Sequence, residues 1–127
     1  MILSHDYNTS YDPAAPVIPV KISAPGQGIQ EEVLGFIDSG ADATMIPATL
    51  LRKIKARFVE HRNLRGVTGH RISVKRYLVA IHLGSEVIYG VRAVATASGS
   101  ELILGRDVLN QLIVTLNGLA HVVQISA

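Results

Sequence analysis

Cysteine is absent from the 127-residue chain. That excludes a disulfide framework, a thiolate metal site and a cysteine nucleophile, and leaves redox compartment unaddressed. Long apolar runs are absent as well, since none approaches the length that spans a bilayer. Met1-Ile2-Leu3-Ser4-His5-Asp6 lacks the basic n-region and the sustained apolar h-region of a secretory signal. Together these absences give the expectation of a soluble, cytoplasmic protein without a membrane partner. Paired histidines are missing too. His5, His61, His70, His82 and His121 include no i, i+4 pair and no tight spacing, so neither a metal site nor a cofactor is expected. His82 and His121 fall in strand patterns and read as partly buried or edge residues.

What is present is an ordered composition, 48% apolar and 17% charged, in a length suited to one compact domain with a real core. The net charge is only +2, but nine of the twelve Lys and Arg fall together: Arg52, Lys53, Lys55, Arg57, Arg62, Arg65, Arg71, Lys75 and Arg76. Glu60 alone opposes them. Such a patch attracts acidic substrates or nucleic acid, or is simply a solvated face. Apart from Phe58 the segment carries no Tyr, Phe or Trp for bases to stack on, which argues against nucleic acid.

Along the chain, residues 1–16 are polar and proline-bearing and read as a loose arm ahead of a domain over 17–127. Val17-Ile18-Pro19-Val20-Lys21-Ile22 alternates, with Pro19 demanding an edge position. Ala24-Pro25-Gly26-Gln27-Gly28 is a turn, and Gln30 to Ile37 a returning strand. Pro47 suits the first position of a short helix that buries Leu50, Leu51 and Ile54. Ile72 and Val74 are out of register with Tyr77, Val79, Ile81 and Leu83, which predicts a bulge near Arg76. Gly84-Ser85 and Asn117-Gly118 have the composition of two-residue hairpin turns. Many short strands, two short helices and frequent glycine turns describe a closed or sandwich-like all-β domain.

Two stretches carry chemistry. Val33, Leu34, Phe36 and Ile37 run directly into Asp38-Ser39-Gly40-Ala41-Asp42, then apolar residues resume. As a triplet Asp-Ser-Gly is an ordinary turn. At the end of an apolar strand, where an unpaired charge is costly to bury, it presents a carboxylate in the manner of a catalytic loop. The second stretch, Leu102-Ile103-Leu104-Gly105-Arg106-Asp107, repeats the plan of strand, glycine and short amphipathic helix. Asp107 fits an acid at a helix start.

With both stretches in the right order and spacing, the chain resembles the retroviral-type (retropepsin-like) aspartic proteases over roughly residues 30–116. The resemblance implies a closed acid-protease barrel with one or two short helices and an aspartic endopeptidase acting on polypeptide substrates. It implies Asp38, Ser39 and Gly40 as the catalytic motif, Ser39 bonding across a dimer to brace it. Ala41 and Asp42 would contact substrate, Gly66, Val67, Thr68 and Gly69 would form the flap tip over it, and Gly105 and Arg106 would support the site, Arg106 bridging Asp42. Metal-free peptide hydrolysis needs a base for water and an acid for the carbonyl oxygen, which two carboxylates sharing one proton supply. The motif occurs once here, so the second Asp38 must come from a homodimer partner. The competing reading is a catalytically silent, protease-like dimerisation or binding domain. Two features depart from the family pattern: the N-terminal arm, and a hairpin at Asn117-Gly118 that adds a strand where the family's last strand interleaves at the dimer contact.

Overall fold

The computed structural model describes residues 1–65 and 69–127. Ten strands and two short helices make up the chain: β1 (Ile2–Asp6), β2 (Val17–Ser23), β3 (Gln30–Ile37), β4 (Met45–Pro47), α1 (Ala48–Lys53), β5 (Arg57–Arg65), β6 (Arg71–Leu83), β7 (Glu86–Thr96), β8 (Leu102–Leu104), α2 (Arg106–Leu109), β9 (Ile113–Asn117) and β10 (Val122–Ser126). The fold is all-β. Strands β2-β3-β8-β4-β7-β6 are joined in that order, and β6 returns to β2 to close the barrel. β5 hangs on the outside of β6, so β5 and β6 form a hairpin that projects from the barrel wall.

The alternation read in the sequence places the core. Ile18, Val20 and Ile22 face inward with Val79, Ile81, Leu83, Leu102 and Leu104, all buried, and Leu51 and Ile54 of the α1 segment cap them. Pro19 pairs with Leu34 of β3, whereas β6 pairs only with Lys21 to Ser23, so the proline's missing donor falls where β2 has a free side. Pro25 and Gly26 occupy the centre of a turn closed by Gln27 N–H to the Ala24 carbonyl at 3.2 Å. Gly26 has φ +75° there, the conformation that a type II turn requires.

Three local expectations shift. The bulge lies opposite Arg76, not on its own strand: Phe58 pairs with Tyr77 and Glu60 with Arg76, leaving Val59 as the extra residue in β5. Pro47 caps α1 rather than opening it. The β9–β10 connection is a four-residue loop, not a two-residue one, because Asn117 still pairs with Val122 and its side chain accepts the Ala120 N–H at 3.0 Å. His121, expected in a strand, therefore sits in that loop at φ +53°.

The N-terminal arm is not loose throughout. β1 pairs with β10 along its whole length, forming a three-stranded sheet with β9. Leu3, Val114, Val123 and Ile125 turn one face of that sheet onto the core. Tyr7 then stacks on His121 at 5.4 Å. Tyr11 packs edge-on against Phe36 and donates its hydroxyl hydrogen to Glu101, a bond that raises the phenol's pKa above its ordinary value. The sequence hid β1 because a five-residue strand with alternately exposed and half-buried side chains has a weak pattern, and its partner lies at the other end of the chain.

Candidate active site

The site is built where two parallel strands end side by side. Gly35, Phe36 and Ile37 of β3 pair in parallel with Leu102, Ile103 and Leu104 of β8. One residue further, Asp38 and Gly105 emerge together. Gly35 permits this approach: a Cβ on it would lie 3.1 Å from the Leu102 side chain. The two segments predicted to share one plan thus lie together, each passing from strand to glycine loop.

Asp38 is fixed by its own loop. Its N–H donates to the Leu104 carbonyl at 3.1 Å, its carbonyl accepts from Ala41 N–H at 3.2 Å, and its Oδ1 accepts from Gly40 N–H at 2.9 Å. Its side chain remains at the surface, as do Ser39 and Gly40. Among the described residues no second carboxylate is hydrogen-bonded to it.

The second strand's loop braces the first. Arg106 donates its backbone N–H to the Ala41 carbonyl at 2.8 Å and Nη1 to the Ser39 carbonyl at 2.8 Å. The expected Arg106–Asp42 bridge is the weaker contact at 3.8 Å, with Asp42 almost fully exposed, and a pair so solvated contributes little. Gly105 is packed so closely that a Cβ would lie 2.6 Å from the carbonyl carbon of Ala43.

Two residues outside the expected site complete the brace. Thr44 is fully buried. Its Oγ1 donates to Asp107 Oδ1 at 2.7 Å and accepts the Gly105 N–H at 3.2 Å, while its own N–H donates to Asp107 Oδ2 at 3.0 Å. Asp107, expected as a helix-start acid, does accept the Val108 N–H at 2.9 Å but spends both oxygens on Thr44. The signal was a single hydroxyl residue between Ala43 and Met45-Ile46, an inward position that needs a polar partner. Thr44→Val, nearly isosteric, should cost about 1–3 kcal/mol because it leaves the buried Gly105 N–H without its acceptor and removes one donor from the half-buried Asp107 carboxylate. Urea titration checks this; a loss within about 0.5 kcal/mol, the range of ordinary surface changes, would mean the brace is dispensable.

The hairpin beside the site sorts the basic patch. Side chains alternate along β5 and β6, so Glu60, Arg62 and Leu64 share a face with Ile72, Val74 and Arg76, and His61 shares the other with Arg71 and Lys75. A cleft of about 180 Å³ runs between the first face and the Asp38 loop, lined by Asp42, Ala43, Arg62, Leu64, Val74, Arg76 and Val94. A roomier cleft of about 360 Å³ beside α1 shares no residue with the Asp38 loop. Of the expected flap tip, Gly66, Val67 and Thr68 lie outside the described residues. Gly69 is exposed with φ +82°. Among the described residues no group of three His, Cys, Asp or Glu is placed to hold a metal ion, and no helix is long and apolar enough to cross a membrane.

Comparison with known proteins agrees with this architecture. EIAV protease in complex with the inhibitor HBY-793 superposes with a TM-score of 0.59 at 23% identity, covering 76% of this chain and 86% of that one. A retropepsin-like aspartic protease from Rickettsia conorii superposes at 0.62 with 8% identity, covering 100% of this chain and 95% of that one. Likenesses at such identities establish the fold, which is retropepsin-like. No curated protein matches the sequence at a significant level. The sequence profile of a family described as aspartyl protease matches residues 18–108, a span that runs from the first barrel strand through the Asp38 loop to α2. The chain belongs to that aspartyl protease family.

Proposed function

We propose that this chain is an aspartic endopeptidase that works as a two-fold homodimer and hydrolyses polypeptides with a water held between two Asp38 carboxylates. The observation that carries the reading is the exposed Asp38 carboxylate, held by the Gly40 N–H on a loop that Arg106 braces, within a family of aspartyl proteases. One carboxylate of the pair removes a proton from the water as it attacks the scissile carbonyl, and the protonated partner gives its proton to the carbonyl oxygen. Collapse of the resulting diol then passes a proton to the leaving amine, so a pair sharing one proton serves both halves of the reaction.

Neither nearby acid suits the role of in-chain partner. Asp107 is engaged by Thr44, and Asp42 lies on the Arg106 side of the loop. Support for a second copy comes from β9. This strand pairs with β10 on one side and with no other strand among the described residues. Ile113-Val114-Thr115-Leu116-Asn117 contains no charge and no proline, the usual devices that keep an edge from pairing. Ile113 and Leu116 are more than half exposed. Antiparallel pairing of such an edge with its own copy is self-complementary about a two-fold axis. It would join two three-stranded sheets directly after the helices that brace the two Asp38 loops.

The test is digestion of a denatured protein by the purified chain across a pH series. Cleavage is expected with a bell-shaped profile on the acid side of neutrality, because the pair must hold one proton, not two and not none. A chelator should leave it unchanged. An inert protein at every pH, still dimeric, would favour a silent dimerisation domain.

A further inference from the structure

Building on the protease reading, we infer that Arg62 is a specificity-determining residue that selects a substrate carrying a glutamate or aspartate side chain next to the scissile bond. The cleft that begins at Asp42, four residues beyond Asp38, is the place where such a side chain would lodge.

The charges lining this cleft are unequally committed. Arg76 Nη1 is bound to Glu60 Oε1 at 2.9 Å and is largely covered, and Arg92 approaches the same carboxylate at 3.7 Å. Asp42 extends into solvent toward Arg106. Arg62 is exposed and forms no ion pair or hydrogen bond among the described residues. It stands one rung from Arg76 on the same face of the hairpin, so two guanidinium groups border one space, where Glu60 engages Arg76 alone of the two and Asp42 is the acid in the lining. Leu64, Val74 and Val94 supply apolar walls between the charges. A glutamate fits this pattern well: its methylenes lie against the aliphatic walls and its carboxylate meets the uncommitted guanidinium, which binds carboxylates through paired N–H donors. A lysine would place a third cation beside two arginines. Arg71 and Lys75, on the opposite face, take no part, so selectivity belongs to one residue and not to the basic segment as a whole.

The experiment first maps cuts in a digested peptide library, then compares three matched peptides with Glu, Gln or Lys at the position nearest the cut that shows selection. The wild-type protein should cleave the Glu peptide about tenfold faster than the Lys peptide, with Gln between. That is the scale expected when a charge-assisted hydrogen bond is set against a like-charge juxtaposition. Arg62→Glu should reverse the order, and Arg62→Gln should flatten it. Rising salt should narrow the wild-type spread, because exposed charges are screened within about 10 Å at 0.1 M. Equal rates on all three peptides with the wild-type protein overturn the proposal while leaving the protease reading intact. So does an unchanged order in an active Arg62→Glu variant. Absence of cleavage by the wild-type protein on every peptide removes the protease reading and this inference with it.

Discussion

Asparagine in place of Asp38 is expected to lower peptide hydrolysis by about 10³-fold or more, the scale of losing a general acid–base group. Stability should change little. The side chain is exposed, and an Asn Oδ1 still accepts the Gly40 N–H that Asp38 Oδ1 accepts at 2.9 Å. The sharper form of the experiment uses mixtures. When active chains are mixed with an equal amount of Asp38→Asn chains under exchange, random pairing leaves about one quarter of dimers wild-type. Mixed dimers hold one carboxylate and one amide, which cannot share a proton. Activity should therefore fall to about one quarter of that from the same total of active chains, and specific activity should fall on dilution as dimers dissociate. Lysines at both Ile113 and Leu116, which charge the free β9 edge, should mimic dilution. A fall to only one half, insensitive to concentration, would mean that each chain works alone and that Asp38 has an in-chain partner.

Gly105→Ala should be among the most damaging single substitutions in the molecule, with about 3 kcal/mol lost, the upper end of overpacking effects. A Cβ at this position would lie 2.6 Å from Ala43 C, 2.7 Å from Ala43 O and 3.0 Å from Ala41 O. All three are backbone atoms, so no side-chain rotation relieves the contact. Nor can the opposing loop retreat easily, since the Arg106 N–H holds the Ala41 carbonyl at 2.8 Å and Thr44 is tied to Asp107. Whatever structure survives should also lose activity, because the displaced loop is the one that carries Asp38. Gly28→Ala is the control: a Cβ there meets nothing within 4 Å. Denaturant midpoints of the two variants check the expectation, and similar midpoints would mean the two loops are not in the tight contact described.

The features that could be read from the sequence are those whose cause is local. Asp38 stood out because an apolar strand does not end on a charge without a use for it. The Ala24–Gln27 turn and the Gly84-Ser85 connection followed from the backbone conformations that glycine and proline favour. The barrel core followed from alternation in β2, β6 and β8, where a period of two puts every second side chain inside. Pairing of the Asp38 and Gly105 segments was visible as a shared pattern, although only the parallel register of β3 on β8 sets them side by side.

What the tertiary structure decided depends on partners far apart in the chain or on single-residue shifts of register. β1 needed β10, more than a hundred residues away, before its weak pattern meant anything. Thr44 and Asp107 lie 63 positions apart, and each alone looks like a small polar residue near a turn. The basic segment divided only once the hairpin register was known. Alternation sends Arg62 and Arg76 toward the Asp42 cleft and Lys75 and Arg71 away from it, while the extra Val59 changes which β5 side chains share a face across the bulge. A sequence records how many charges a segment has, but strand pairing determines which of them meet a ligand, because neighbouring side chains on a strand point to opposite sides.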